Sequence, residues 1–519
     1  MVTSRLLACV ASLLLLTLSA LDGQERFRTA TRLVEVPVVV TDRAGKHVEG
    51  LTRDDFAITE DGIPQTISIF EVTDTRAART AAPPASRRLA AAEQIFTNAV
   101  PNASGSIAVI VLDRQNAAFD SQWFARKHID AYVSRMRTGD RVALYVLDGG
   151  IRVLHDFSGD AASIRRALDV YQARVTGDYD ASNEPPAELP PGDTLPVWIV
   201  DPSTAVSDFF MKQRWRNTFH ALQVLAGHLS GVAGRKTVVW VSEVFPIPTG
   251  LDRQEFLEEM RKTTRAMNDA QASLYPVDAR GLVGAISYFR GKPRFTTLGN
   301  VRGNIETMEI VADDTGGRAF ANSNALDVSI GRALDDSRLT YLLGYYPTDA
   351  RSDGRFRTIG VTVRRKGLQA RYRRGYVAAS PAPDVKGRDA ALRDALETPL
   401  AATQVGLSAV IEHDKSAAAV RIRLRIDPAT LALEQAEGRF GGDVDVLVAE
   451  VSRTARGVVV ATERLEVSIP DSDRAAVFRE GIPLMMTVDV TRYLHELRIV
   501  ARDVTSGRVG SLVIRAQQL

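Results

Sequence analysis

With 519 residues, 45% of them hydrophobic and 25% charged, the chain has the composition of a folded soluble protein and the length of about three or four domains. A formal net charge of +2 excludes a global field that would draw it to nucleic acid or an anionic membrane surface. Its single cysteine, Cys9, lies in an N-terminal apolar run, so a chain cut after that run has no thiol for disulfides, Cys–zinc sites or Cys nucleophiles.

Residues 1–20 read as an export signal. Arg5 supplies the positive start, Leu6 to Leu18 the short apolar run, and Leu18-Ser19-Ala20 the small residues of a cleavage site. The run is short for a bilayer span and no second candidate follows. The mature chain is therefore expected to be exported, periplasmic or secreted, with no transmembrane span; an uncleaved N-terminal anchor is the alternative.

Residues 21–73 form an N-terminal β segment: a β-rich run from Leu33 to Thr41, a turn at Asp42–Gly45, and two further strands meeting at Glu60-Asp61-Gly62. Residues 74–104, rich in Ala, Pro, Ser and Arg, read as a linker with one short helix near Leu89–Phe96. From 105 to 339, apolar runs alternate with amphipathic stretches. Ser106–Leu112, Arg141–Leu147, Thr237–Val241 and Ser273–Val277 are predicted buried strands, with Ile151–Leu154 an antiparallel edge. Helices are predicted over Gln122–Met136, from the Asp160 cap to about Val170, and over Phe209–Leu229, Arg253–Ala272 and Ile305–Thr315. The proline-rich stretch 175–205 is an insertion. Short βα units of this kind predict a mainly parallel, Rossmann-like doubly wound sheet, which places Asp113 and Ser242-Glu243 on one rim.

From Thr340 the period returns to strands, giving a β segment over 340–377. A linker over 378–400 follows, then seven or eight short alternating runs over 401–519, spaced as in a β-sandwich of immunoglobulin-like architecture. The segments 33–71 and 340–377 are each too small to bury a core alone. They are expected to fold together, with the α/β unit inserted between them.

A series of short motifs runs through residues 33–377. It includes Val40-Thr41-Asp42, Gly50-Leu51, Asp55-Phe56, Glu60-Asp61-Gly62, Val111-Leu112-Asp113 with Asn116, and Gly139-Asp140-Arg141-Val142-Ala143. It continues with Asp156-Phe157-Ser158, Gly234-Arg235-Lys236 with Trp240, Phe245-Pro246, Tyr275-Pro276-Val277-Asp278, Thr315-Gly316-Gly317-Arg318, Leu343-Gly344-Tyr345-Tyr346-Pro347 and Arg374-Gly375-Tyr376. Taken in order, these resemble a family of exported bacterial proteins with a von Willebrand factor A-like domain, known mostly from Acidobacteria. The resemblance implies an A-type fold and a binding or adhesion module whose partner is an unknown protein.

It also implies where a cation would sit. A-type domains often hold a divalent ion through Asp-x-Ser-x-Ser at the end of the first strand, a set of hard oxygen ligands. Here Asp113 stands at the Asp position, but Gln115 and Ala117 replace the serines. Asn116 lies between them, the later Asp position reads Ser242-Glu243, and Thr218 falls inside a predicted helix. The expected site is thus degenerate: Asp113, Asn116, Ser242 and Glu243 holding Mg²⁺ or another divalent ion. The alternative is a rim whose polar groups cap helices and satisfy loop backbone.

No motif points to catalysis. Gly231 to Thr237 leads into a strand where a phosphate loop should open a helix, and no His-Glu-x-x-His or Gly-x-Ser-x-Gly occurs. His128, His220 and His228 read as packing or surface residues, and Asp443 and Asp445 as a solvated strand face. The basic group Arg364, Arg365, Lys366, Arg371, Arg373 and Arg374 reads as a charged solvent face rather than a lipid contact. The expectation is a non-enzymatic binding protein; the alternative is a structural envelope protein with the A domain as a metal-free scaffold.

Overall fold

The computed structural model describes residues 33–75, 95–99, 106–174, 202–232, 234–245, 253–282, 286–289, 292–295, 298–349, 351, 353–378, 392–414, 419–436, 438–452 and 457–518. The predicted export signal and most of the two linkers and of the proline-rich insertion lie outside them.

Four strands open the described chain: β1 (Val34–Thr41), β2 (Phe56–Glu60), β3 (Ile63–Gln65) and β4 (Ile67–Asp74). β1 is almost wholly buried and rich in valine, whose branched side chains suit a pleated surface. Thr52 and Asp55 form a capping box ahead of β2, with the Thr52 N–H donating to Asp55 Oδ2 at 2.7 Å. β2 and β3 join at Asp61-Gly62, with φ of 48° and 81°, the positive pair that a two-residue hairpin requires. β5 (Ile95–Thr97) stands apart from these four.

The α/β unit follows: β6 (Ile107–Asp113), α1 (Phe119–Val133), β7 (Arg141–Leu147), β8 (Ile151–Ser158), α2 (Ala161–Asp169), α3 (Pro202–Leu229), β9 (Lys236–Ser242), α4 (Arg253–Asp269) and β10 (Ala272–Asp278). A hairpin of β11 (Ile286–Phe289) and β12 (Lys292–Phe295), then α5 (Leu298–Asp314) and α6 (Leu326–Asp335), complete it. The sheet runs β8-β7-β6-β9-β10, all parallel but for the antiparallel edge β8. A parallel bridge from Val277 to Phe320 adds a sixth position. Counted along the chain this is the doubly wound order 3-2-1-4-5-6, whose direction reverses between β6 and β9. Even-numbered β6 residues such as Ile110 face α1, α2 and α6, and odd-numbered ones such as Val111 face α3, α4 and α5.

β13 (Leu339–Tyr345), β14 (Phe356–Val363), β15 (Gln369–Arg371) and β16 (Gly375–Val377) return to the opening strands. One sheet runs β15-β1-β13-β4 and the other β16-β14-β2-β3. Val36, Val38, Tyr341 and Leu343 of the first share an apolar cluster with Phe56, Ile58, Ile359 and Val361 of the second. The chain thus leaves this pair of sheets after β4 and re-enters at β13, with the α/β unit between. Inside the cluster, Tyr345 and Tyr376 both donate to Glu60 Oε2, at 2.7 and 2.9 Å.

Arginines and a buried aspartate tie the two bodies together. Arg235 donates to Tyr275 Oη at 3.1 Å, and to the Gly316 and Pro37 carbonyls at 2.5 and 3.4 Å. Arg373 donates to the Glu35 and Asn268 carbonyls at 2.7 and 3.1 Å. Asp336, 1% exposed, receives Arg371 and His47 at 2.8 and 2.9 Å. These partners, with Arg318 nearby, hold its carboxyl below the usual range against the opposing effect of burial. Gly317 has a packing reason: a Cβ there would lie 1.9 Å from the Leu274 carbonyl oxygen.

The C-terminal strands are β17 (Leu407–Asp414), β18 (Ala419–Ile426), β19 (Glu434–Ala436), β20 (Arg439–Val451), β21 (Val458–Pro470), β22 (Ile482–Asp489), β23 (Glu496–Asp503) and β24 (Val509–Arg515), with α7 (Arg474–Glu480) between β21 and β22. One sheet runs β22-β18-β17-β5. In the other, β20 pairs β21 along most of its length and β19 and β23 in turn, with β24 beyond β23. Both sheets contribute to one apolar cluster.

β5 corrects the linker expectation. Residues 95–97 are a strand paired to Ser408–Val410, not the end of a helix. Asn98 locks it, its Nδ2 donating to the Ala402 and Val405 carbonyls at 2.8 Å and its Oδ1 accepting from Leu407 N at 2.8 Å. Three residues carry too little alternation to be read as a strand. The helices α6 and α7 were not foreseen, and α3 begins at Pro202, within the predicted insertion.

Glu60→Ala is expected to destabilise the paired sheets by about 2–5 kcal/mol, because it leaves two buried tyrosine hydroxyls without their acceptor. Urea unfolding of the variant against Tyr345→Phe and Tyr376→Phe checks this. The double variant lacking both hydroxyls should lose much less on truncation of Glu60.

Candidate functional site

The reversal between β6 and β9 puts Asp113 and Ser242 at the crevice where doubly wound sheets bind ligands. Asp113 is 2% exposed and ringed by donors. Its Oδ1 accepts the Asn116 backbone N–H at 2.9 Å. Its Oδ2 accepts Asn116 Nδ2 at 2.8 Å, Trp240 Nε1 at 3.0 Å and Ser242 Oγ at 3.0 Å. Burial pushes its pKa up to about 6 against these hydrogen bonds and the nearby Arg214 cation, so it is ionised at neutral pH.

Asn116 relays the charge to α3. Its Oδ1 accepts Arg214 Nε at 2.9 Å, and its Nδ2 also donates to Thr218 Oγ1 at 2.8 Å. Thr218 in turn donates to the Arg214 carbonyl at 2.9 Å. Thr218 therefore reaches the rim from within its helix, because Arg214 and Thr218 stand four residues apart on one face. Arg214 is 1% exposed. Gln115 braces the same turn, its Nε2 donating to the Arg214 carbonyl at 2.9 Å and its Oε1 accepting Gly149 N at 3.1 Å.

The predicted ligands thus converge in part. Asp113, Asn116 and Ser242 form one network. Glu243 turns instead to the start of α1, where its Oε2 accepts Ala118 N at 2.8 Å, a favourable place for a carboxylate at a helix N-terminus. A hard divalent cation needs several oxygens with lone pairs directed at it. Here Asp113 Oδ2 already accepts three donors, and the Asn116 amide oxygen accepts a guanidinium. Ser242 Oγ lies between Asp113 and the Val244 carbonyl, at 2.9 Å from the latter. This donor set does not fit such an ion. Among the described residues no group of three or more His, Cys, Asp or Glu side chains is arranged to hold a metal.

Two residues central to this network carried no role in the sequence reading: Arg214 and Trp240. The available signal for Arg214 was its four-residue spacing from Thr218, in a stretch that also carries Lys212, Gln213, Arg216 and Asn217.

Other singled-out residues have structural partners. Asp445 is not solvated: it is buried between Arg464 and Arg502, which corrects the surface reading. In the basic group, Arg365 pairs with Asp55, Arg371 with Asp336 and Arg374 with Asp313, while Arg373 holds backbone carbonyls. His128 lies 3.0 Å from Asp327. His228 packs between Tyr145 and the Ala401 carbonyl at 3.2 and 2.7 Å, and burial pushes its pKa down. Among the described residues no helix is long and apolar enough to cross a membrane.

No protein-family model and no curated protein matches the chain. Solved structures similar to it include an aerotolerance-related membrane protein from Bacteroides fragilis (18% identity, 44% of this chain and 99% of that one, TM-score 0.27). A second is BatB from Bacteroides thetaiotaomicron (16% identity, 45% and 98% covered, TM-score 0.26). A third is a von Willebrand factor type A protein from Catenulispora acidiphila (10% identity, 87% and 74% covered, TM-score 0.23).

Burial raises the Asp113 pKa to about 6, above the ordinary carboxylate range near 4, so keeping it charged costs stability at neutral pH. That cost, on the order of 3 kcal/mol, is relieved as pH falls through 6 towards 4. Arg214→Met should remove a nearby cation and leave the buried Asn116 amide oxygen without its donor, lowering stability by about 1–3 kcal/mol at pH 7.5. The deficit should narrow at pH 5, where Asp113 protonates. Urea melts at both pH values check this, and an equal deficit at both would mean that Arg214 does not balance Asp113.

Proposed function

We propose that the chain is an exported, non-enzymatic binding protein whose A-type α/β unit works without a divalent cation. Arg214 supplies the buried positive charge that a cation would otherwise bring to Asp113. The observation that carries this is the saturation of Asp113 and Asn116 by protein donors, with the guanidinium one hydrogen bond away through the Asn116 amide. The sheet order and the motif series support the A-type reading. The export signal predicted over residues 1–20 supports the reading of an exported chain.

A second reading, the A-type unit as a metal-free scaffold, draws on its junction with the C-terminal strands. Thr403 Oγ1 accepts Gly231 N at 2.7 Å and donates to the His228 carbonyl at 2.8 Å, and His228 is 8% exposed. Such a join favours a fixed spacing between the two bodies. The two readings differ in whether the chain captures a partner.

Calorimetry of the full chain with Mg²⁺, Mn²⁺ and Ca²⁺ is expected to give no binding heat, identical to Asp113→Ala. Saturable heat in the wild type that Asp113→Ala abolishes would establish a cation site and overturn the cation-free reading.

A further inference from the structure

The two margins of the C-terminal strands differ. The β24 margin is covered: Ser511 N donates to the Ala402 carbonyl at 2.8 Å, Val405 N donates to the Val509 carbonyl at 3.3 Å, and Thr403 bridges Gly510. At the other margin, β21 pairs with β20 alone among the described residues, so a row of backbone N–H and C=O groups faces away from the sheet. Edge strands are ordinarily protected by charge or proline, and β21 has both further along, at Glu463, Arg464, Glu466 and Pro470. Its opening residues lack them: Val458, Val459 and Val460 are 62%, 43% and 37% exposed. The β20–β21 register skips Val460, which is left out of the ladder.

Beside these valines the ends of β20, β23 and β24 and the turn at 491–495 come together. α7 closes one end of the two sheets, with Val477 and Phe478 packed on the shared core. At the other end a hollow of about 1060 Å³ remains, lined by Val458, Val460, Arg492, Tyr493, His495 and Arg515 among others. Two carboxylates also line it but are engaged. Glu450 accepts Thr491 N at 2.9 Å, and Glu496 pairs with Arg498 at 2.9 Å. The exposed charges are cationic: Arg515, and Arg492 lying 4.8 Å over the Tyr493 ring.

We propose that the β21 edge and this hollow dock an extended segment of a partner protein, apolar at alternate positions and bearing a carboxylate. Its main chain pairs with the free edge, its apolar side chains cover Val458 and Val460, and its carboxylate meets Arg492 and Arg515. Charge selects a carboxylate-bearing occupant, since both carboxylates of the hollow are engaged and its two exposed charges are cationic. The inference rests on the chain being a binding protein, but not on the rim.

The test titrates the full chain with a labelled peptide, Thr-Val-Thr-Val-Thr-Val-Asp with a free C-terminus, by fluorescence anisotropy, with hydrogen exchange followed at residues 458–464. Expected are saturable binding, new protection of those amides, and binding about tenfold weaker for the amidated, Asn-ending peptide. Val460→Lys, at an exposed position that spares the fold, should abolish binding with an unchanged thermal midpoint. Arg492→Gln with Arg515→Gln should erase the acid preference and retain the weaker neutral binding. Absence of binding, protection elsewhere, or equal affinity for both peptides overturns the proposal. So does a dimer that Val460→Lys dissociates, which would assign the edge to a second copy. Metal calorimetry of the rim is independent of all these outcomes, so the two readings fail separately.

Discussion

A carboxylate held away from water at the centre of an α/β sheet is the constraint around which the rest of the molecule is arranged. Asp113 cannot be left bare, because an unpaired buried charge costs several kcal/mol. Each neighbour answers that demand. The turn after β6 doubles back so that Asn116 N–H reaches it, Trp240 and Ser242 reach it from β9, and α3 brings Arg214 through the Asn116 amide. The price of ionising Asp113 is still visible in its raised pKa. A network of this kind specifies geometry rather than adding much stability, since every donor must be placed at once.

The second constraint is topological. Sheets built from segments on either side of the α/β unit can form only after the chain has passed through that unit, which makes their contacts long in sequence. Their joint is accordingly dense in charge-assisted hydrogen bonds. Arg235, Arg371 and Arg373 reach across it to carbonyls, a phenol and the buried Asp336. This gives a structural reason for Arg235 and Gly317 of the motif series. Arginine spans the joint, and Gly317 lets the backbone approach β10.

Much of this was legible in the residues. Alternation of apolar runs and amphipathic stretches placed Asp113 and Ser242 together on one rim, because parallel βα units leave few other arrangements. The mutual need of 33–71 and 340–377 for a core followed from their size, and the observed strand pairing joins them. Arg214 was not legible. It sits midway along a helix that begins inside a proline-rich stretch, and beside Lys212, Gln213 and Arg216 it reads as one more polar residue of a helix surface. β5 was missed for a related reason: its place is set by Asn98 and by partners some three hundred residues away, not by any local pattern. Asp445 was misread because alternation alone cannot distinguish a solvated acid from one clamped between arginines on neighbouring strands.

The comparison between the rim and the C-terminal margin bears on where recognition resides. A bound cation with an open coordination position can reach out to a partner's carboxylate, because the ion sits at the surface of its ligands. A guanidinium that is 1% exposed and spent on an internal amide has no such reach. With the positive charge held inside by Arg214, the proposed binding function would rest on groups that still face outward. On the described surface, β21 combines free backbone hydrogen-bonding groups with exposed valines and adjacent arginines. In the proposed docking mode backbone pairing would supply affinity there and charge would supply selectivity, without a metal at the rim.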